Sequence, residues 1–422
     1  MQSDSPKPSV RPRAILGLVL ILGFLFNVWH SRNAWSGPDG ELYLEFAHLV
    51  RTPGYFLNPE SFWGNYWPSG YAIFLAALGF SPESAFHSVA LVNAVLNCLA
   101  ALGCWFLTRS FGLPIRLTVV GFVLISPDTL WASRAVGYEA LLSCLIIWSL
   151  VCAWPAAVRK APQTCAALSG ILFVLAVTVQ SRVVILLPVL LYLSWRRGSR
   201  TIIAFLAGLA LIGVPWLIRG AIAYRTFSLL TTNGPINVWI GSNPEATTGG
   251  YMGPPVTPNG YINGSIAFFK EAPYDFLDLA LRRSARLFVP IADDPGWPSR
   301  VNALYSLWAF IFALALLAGL VLWWTGYLWR GPARMPAVAP LAISATLYLV
   351  TAVPFLIEPR YRMPMTPLLI CVLVPTVLMA WQVLHRRLML WQRTSAMAKR
   401  RGFRSTSERT KRHLECDLVK DD

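Results

Sequence analysis

This 422-residue chain predicts an all-α integral membrane protein. The prediction is about ten transmembrane helices, two long outer-face loops containing short interfacial helices, and both termini cytoplasmic. Three observations carry it. The chain is 55% hydrophobic and 13% charged, with a mean hydropathy of +0.52, whereas a soluble domain carries about 25% charged residues. Its apolar runs are long enough, or nearly so, for a ~30 Å hydrocarbon core. Its charges alternate along the chain. Basic-only turns lie at Arg109–Arg116, Arg159–Lys160, Arg196–Arg200, Arg330–Arg334 and Arg386–Arg387, and the segments between them hold all fourteen acids from Asp39 to Glu358. Assigning alternate segments to opposite faces puts 13 basic and 14 acidic residues outside, against 23 basic and 6 acidic inside. That is the positive-inside pattern. The basic excess therefore points to anionic lipid headgroups, each nearby Lys or Arg gaining roughly 1 kcal/mol there, and away from nucleic acid.

Taken in order, the apolar runs place spans at 14–30, 84–107, 114–131, 137–154, 165–180, 183–195, 201–218, 302–324, 337–357 and 364–384. No small-residue cleavage site follows Trp29 and His30, so the first run reads as a retained span. A single helix over 165–195 would be about 46 Å long and would invert every later loop. Two short helices hinged near Gln180–Arg182 keep the charge rule. The run 69–80 is too short to span and reads as interfacial or re-entrant. Trp29, Trp131, Trp154, Trp195, Trp324 and Trp381 flank spans, as an interfacial belt requires. Six of the seven cysteines lie in or at the ends of apolar runs and no CxxC occurs, so they read as small core hydrophobes. The long outer segments are 31–83 and 219–301, the second including an amphipathic helix over 263–289. Residues 1–384 form the membrane part and 385–422 a basic cytoplasmic tail.

Carboxylates able to act as bases are thus confined to the outer face. Asp39, Tyr43 and Ala47 are spaced i, i+4, i+8, so a helix starting near Pro38 presents them on one side. Asp39 at its N-terminus is favoured as the anion by the helix dipole, which suits either a proton acceptor or a simple cap. Arg360 and Arg362 in EPRYRMP share a side if that segment is extended; they fit a phosphate clamp or interfacial snorkelling. Glu358 could bind a metal, but pairing with a neighbouring arginine is the simpler reading. Glu139 enters a span beside Arg134, serving either a cavity or the helix dipole. Arg182 at the hinge would face a polar cavity or pair with an acid. Asn233 and Asn237 suit sugar hydroxyls but are also ordinary turn formers. No His pair has metal-binding spacing, and there is no P-loop, dinucleotide fingerprint or nucleophile elbow.

The ordered blocks PDGELYLEFAHLVR, WPSGYAIFLAAL, SRAVGYEALL, VPWLIRGAIAYRTF, TTNGPINVWIGSNPEATTGGY and EPRYRMPMTPLL resemble the GT-C superfamily of integral-membrane glycosyltransferases. The nearest branch contains the protein O-mannosyltransferases and the lipid A aminoarabinose transferase. The likeness covers roughly residues 10–380. It implies transfer of a sugar from a polyprenyl-phosphate donor, with inversion, to an acceptor hydroxyl of a glycan, lipid or protein. The reaction would occur at the outer face of a bacterial plasma (inner) membrane. The catalytic aspartate of the family's first outer loop falls on Asp39, which would be the general base. The family often has adjacent acids there, whereas this chain reads Asp39-Gly40-Glu41, so Glu41 would point elsewhere on the helix. The RYR segment borders the family's active site, making Arg360 and Arg362 donor-phosphate ligands, with Arg134 and Arg219 as further candidates. Glu41, Tyr43, Tyr71, Glu139, Arg182, Asn233, Asn237, Glu358 and Tyr361 would line the substrate cavity. No cofactor is assigned, and a divalent cation at Asp39 stays open. The competing class is a transporter or flippase. It is disfavoured because charges cluster at span ends and in the outer loops, without repeated halves.

Overall fold

The computed structural model describes residues 11–37, 39–58, 67–84, 86–154, 161–224, 233–246, 260–288, 299–330, 338–352, 358–382, 384–385 and 388–391. The chain divides into two compact units, Met1–Val374 and Pro375–Asp422. The inner turns expected at Arg159–Lys160 and over 331–334, and the tail beyond Trp391, lie outside the described residues. Among the described residues the fold is helical, with one isolated parallel bridge between Trp35 and Ala135.

The helices in chain order are α1 (Arg11–His30), α2 (Gly40–Val50), α3 (Gly70–Ala77), α4 (Phe86–Leu107), α5 (Leu113–Ile125), α6 (Pro127–Arg134), α7 (Glu139–Ala153) and α8 (Pro162–Val179). They continue as α9 (Leu187–Trp195), α10 (Ser199–Tyr224), α11 (Gly234–Gly241), α12 (Tyr261–Glu271), α13 (Pro273–Arg286), α14 (Ser299–Arg330) and α15 (Ala339–Ala352). Among the described residues six helices are long and apolar enough to cross a membrane: Pro12–Asn33, Phe86–Leu107, Pro162–Val179, Ser199–Ala223, Arg300–Gly326 and Pro359–Gln382. The pair α5 and α6, bent by 44°, makes a seventh if taken as one span. The other three expected spans are shorter apolar helices. The 15 residues of α7 cover only about 23 Å, so among the described residues six or seven of the ten expected spans have the length and apolarity of a membrane crossing.

Two expected local features can be compared directly. The chain breaks at Gln180, which is extended between α8 and a 3-10 turn over Ser181–Leu186. The amphipathic helix expected over 263–289 is instead two helices. Pro273 supplies no N–H and crowds the preceding turn, so the chain re-starts at Ala272.

Close packing of α8 on α10 uses glycine. A Cβ on Gly170 would collide with the backbone of Phe205 and Leu209, and one on Gly208 with the backbone of Ala167. Small residues let helix backbones approach where apolar lipid offers no competing drive. Between α7 and α8, Ser169 Oγ donates to the Ser149 carbonyl (2.8 Å) and Ser149 Oγ to the Ser169 carbonyl (3.1 Å).

Three buried asparagines position α6. Asn27 Nδ2 on α1 donates to the Leu124 carbonyl (3.0 Å), Asn97 on α4 to the Thr129 carbonyl (3.0 Å), and Asn93 to the Ala135 carbonyl (3.0 Å). These donors reach carbonyls in or beside α6. The bend itself follows from Pro127, which disfavours a helical Ser126; Ser126 is extended and caps α6 by accepting from Thr129 N. All eight residues of α6 are buried.

Candidate active site

The segment after α1 is held against the C-terminal end of α6. Trp35 N donates to the Arg134 carbonyl and Val136 N to the Trp35 carbonyl, both at 3.2 Å, and Arg134 Nη2 donates to the Asn33 carbonyl at 2.9 Å. Gly37 has φ +70°, a turn that favours glycine. A Cβ on Gly40 would lie 2.7 Å from Val136 Cβ. The chain is therefore seated tightly just where Asp39 begins α2. Asp39 occupies the N-cap position, yet its side chain makes no capping hydrogen bond. Its carboxylate turns to a cation instead: Arg360 Nη1 lies 2.6 Å from Asp39 Oδ2.

Arg360 is carried on a 3-10 turn, Pro359–Tyr361, entered from an extended Glu358 as the residue before a proline requires. Its Nε lies 2.5 Å from Glu358 Oε2, so one guanidinium sits between two carboxylates. The three side chains are 13–29% exposed, accessible yet largely out of bulk water, where charge interactions strengthen. The Tyr361 ring lies between two guanidiniums, Arg182 at 4.2 Å and Arg360 at 5.7 Å from its centroid.

Aromatic rings and one acid complete the surroundings. Tyr43, one helical turn after Asp39, contacts the rings of Trp67, Tyr71 and Tyr138 at 5.1, 5.0 and 6.3 Å between centroids. Burial, reinforced by the negative Asp39, pushes the Tyr43 phenol well above its ordinary range, so it is a neutral group throughout the physiological range. Gln180, at the hinge, donates to Tyr138 Oη at 3.1 Å. Glu139 is 2% exposed and neither carboxylate oxygen accepts a hydrogen bond from another described residue. It lies within electrostatic reach of Arg360, Asp39 and Glu358.

No family model and no curated protein matches the chain. Solved structures do. The Archaeoglobus fulgidus oligosaccharyltransferase in its apo form aligns with a TM-score of 0.51 at 16% identity, covering 89% of this chain and 52% of that one. The chain shares the fold of the aligned part of that structure. A second structure, archaeal oligosaccharyltransferase AglB from the same organism with an inhibitory peptide and a dolichol-phosphate, aligns with a TM-score of 0.49 at 15% identity, covering 90% and 52%. The chain spans about half the length of these structures.

In this fold Asp39, Tyr43, Tyr71, Glu139, Arg182, Glu358, Arg360 and Tyr361 come together. The other expected site residues have these surroundings. Glu41 is exposed on α2. Arg134 is buried against the Asn33 carbonyl. Arg219 lies on α10 over the Trp216 ring. Asn233 precedes α11 and Asn237 lies within it.

Arg362 requires a correction. It is fully buried and gives Nε and Nη2 to the two oxygens of Asp128 at 2.9 and 2.7 Å, with Nη1 donating to the Leu287 carbonyl. The sharing of one side with Arg360 presumed an extended segment. In 3-10 turns of about three residues each, positions i and i+2 diverge. Asp128 is the residue that sequence reasoning passed over, although an acid inside the apolar run 114–131 was itself a signal.

A resident divalent cation does not fit the residues present. No group of three His, Cys, Asp or Glu is assembled among the described residues, and the Arg360 guanidinium already lies between the Asp39 and Glu358 carboxylates.

Proposed function

We propose that this chain is a glycosyltransferase that moves a sugar from a polyprenyl-phosphate donor to an acceptor hydroxyl at the outer face of a bacterial plasma membrane, with Asp39 as general base. The observation that carries this reading is the Asp39 carboxylate. At a helix N-cap it makes no cap, and it pairs instead with an arginine delivered from the other end of the chain.

The chemistry follows from the charges. The donor phosphate competes with Asp39 and Glu358 for Arg360, whose planar fork binds phosphate oxygens well. Once Arg360 turns to the phosphate, the Asp39 carboxylate is released from its ion pair and can meet the acceptor hydroxyl. The acceptor oxygen then attacks the anomeric carbon while its proton passes to Asp39. The bond from that carbon to the phosphate oxygen breaks, and the leaving phosphate keeps the electron pair beside Arg360. One displacement inverts the anomeric centre.

Asp39→Asn preserves shape and removes the base. It should abolish sugar transfer in a purified-enzyme assay while expression and membrane insertion stay at wild-type levels; retained turnover would refute the role. Arg360→Ala should weaken binding of undecaprenyl phosphate at least tenfold, measured by microscale thermophoresis in nanodiscs, and unchanged affinity would place the clamp elsewhere.

A further inference from the structure

Both halves of the candidate site hang from α6. At its C-terminal end, Arg134, Ala135 and Val136 hold residues 33–40 and so seat Asp39. At its N-terminal end, Asp128 is 2% exposed and accepts from Nε and Nη2 of Arg362, along with Thr366 Oγ1 at 2.5 Å. Arg362 ends the 3-10 turn that carries Arg360. The same end of α6 accepts a hydrogen bond at the Pro127 carbonyl from Tyr305 Oη of α14, 2.6 Å away. Arg362 also donates to the carbonyl of Leu287, the C-cap of α13. Asp128 and Arg134 are six positions apart on the helix, a rigid spacing of about 9 Å.

We infer that Asp128 is a positioning residue: through Arg362 it fixes the turn that sets Arg360 against Asp39. The inference rests on the proposed roles of those two residues only for its catalytic meaning, since the placement itself is a matter of geometry. A buried ion pair between fully desolvated partners is a poor source of net stability, because apolar residues of similar volume often replace one without loss. What apolar replacements lack is direction. Two parallel hydrogen bonds to one carboxylate, with a third to a carbonyl, specify the orientation of the Arg362 backbone; a methionine beside a leucine does not.

The experiment is a double-mutant cycle between Asp39→Asn and Arg360→Gln, read as melting temperatures of the full chain in nanodiscs. It is run in the wild type and in an Asp128→Leu/Arg362→Met background, with Asp128→Asn as a second background should the first fail to fold. Positioning by Asp128 predicts a clear coupling in the wild type that disappears in either background, even where the background itself melts as the wild type does. Coupling that persists with Asp128 removed overturns the inference, as does its absence in the wild type. A parallel titration with bare undecaprenyl phosphate separates the two levels. Loss of affinity in the Asp128 backgrounds to the level of Arg360→Ala supports positioning. Tenfold or greater loss in Arg360→Ala with none in the Asp128 backgrounds overturns it. A wild type that does not bind the probe removes the proposed donor and leaves the coupling result to decide the positioning.

Discussion

Asp39 is seated by its neighbours, and Gly40 shows how tightly. A methyl group there would come within 2.9 Å of the Val136 carbonyl oxygen as well as meeting its side chain. Overpacking of this kind costs about 1–3 kcal/mol, and relief would come by lifting the start of α2. A displacement near 1 Å in a catalytic group lowers turnover by roughly 10²-fold. Gly40→Ala is therefore expected to cut kcat by about that factor while melting temperature falls only modestly, which parallel activity and thermal assays will show. Asp39 was legible in the sequence because its i, i+4, i+8 pattern and its place after a Gly-Pro pair fix a helix start. Its partner was half legible. The RYR segment was singled out, but which arginine meets Asp39 depends on the turn type over Pro359–Tyr361 and on Asp128, more than two hundred positions away.

The break at Gln180 was legible, since the alternation of charge required it. The bend at Ser126 and the break at Ala272 were passed over, reading as one span across 114–131 and one helix across 263–289, although Pro127 and Pro273 force them. The length of a membrane segment was less legible, since apolar residues also line contacts between helices and α7 is buried on nearly every side. Helix contacts such as that of α8 with α10 leave only a faint mark, a glycine in each partner. Gly208→Leu would drive a side chain into the Ala167 backbone, which cannot yield as a flexible side chain would. The expected result is a loss of about 1–3 kcal/mol or more, read as reduced melting temperature and poorer yield, while Gly121→Ala on α5, where a Cβ meets nothing within 4 Å, should change neither.

For the molecule as a whole, the charge alternation makes a topological prediction. Glu41 is exposed on α2 and belongs to an acid-bearing segment, so Glu41→Cys should react with a membrane-impermeant maleimide in intact cells. Labelling only after the membrane is broken would invert the assignment. The second long segment has its own internal anchor. Arg283 of α13 is wholly buried, donates to the Gly241 carbonyl and to Ser242 Oγ (2.6 Å), and is held down to about 10 by burial. A cation at the C-terminal end of α11 is favourably placed against the helix dipole. One consequence of α6 concerns how such a chain can vary. Adding or deleting a single residue within it would turn one end relative to the other by about 100°, swinging Asp128 away from its partner while the Trp35 bridge stayed put. Changes of length are thus barred from that stretch, and novelty in what the protein accepts has to arise in the loops hung around it.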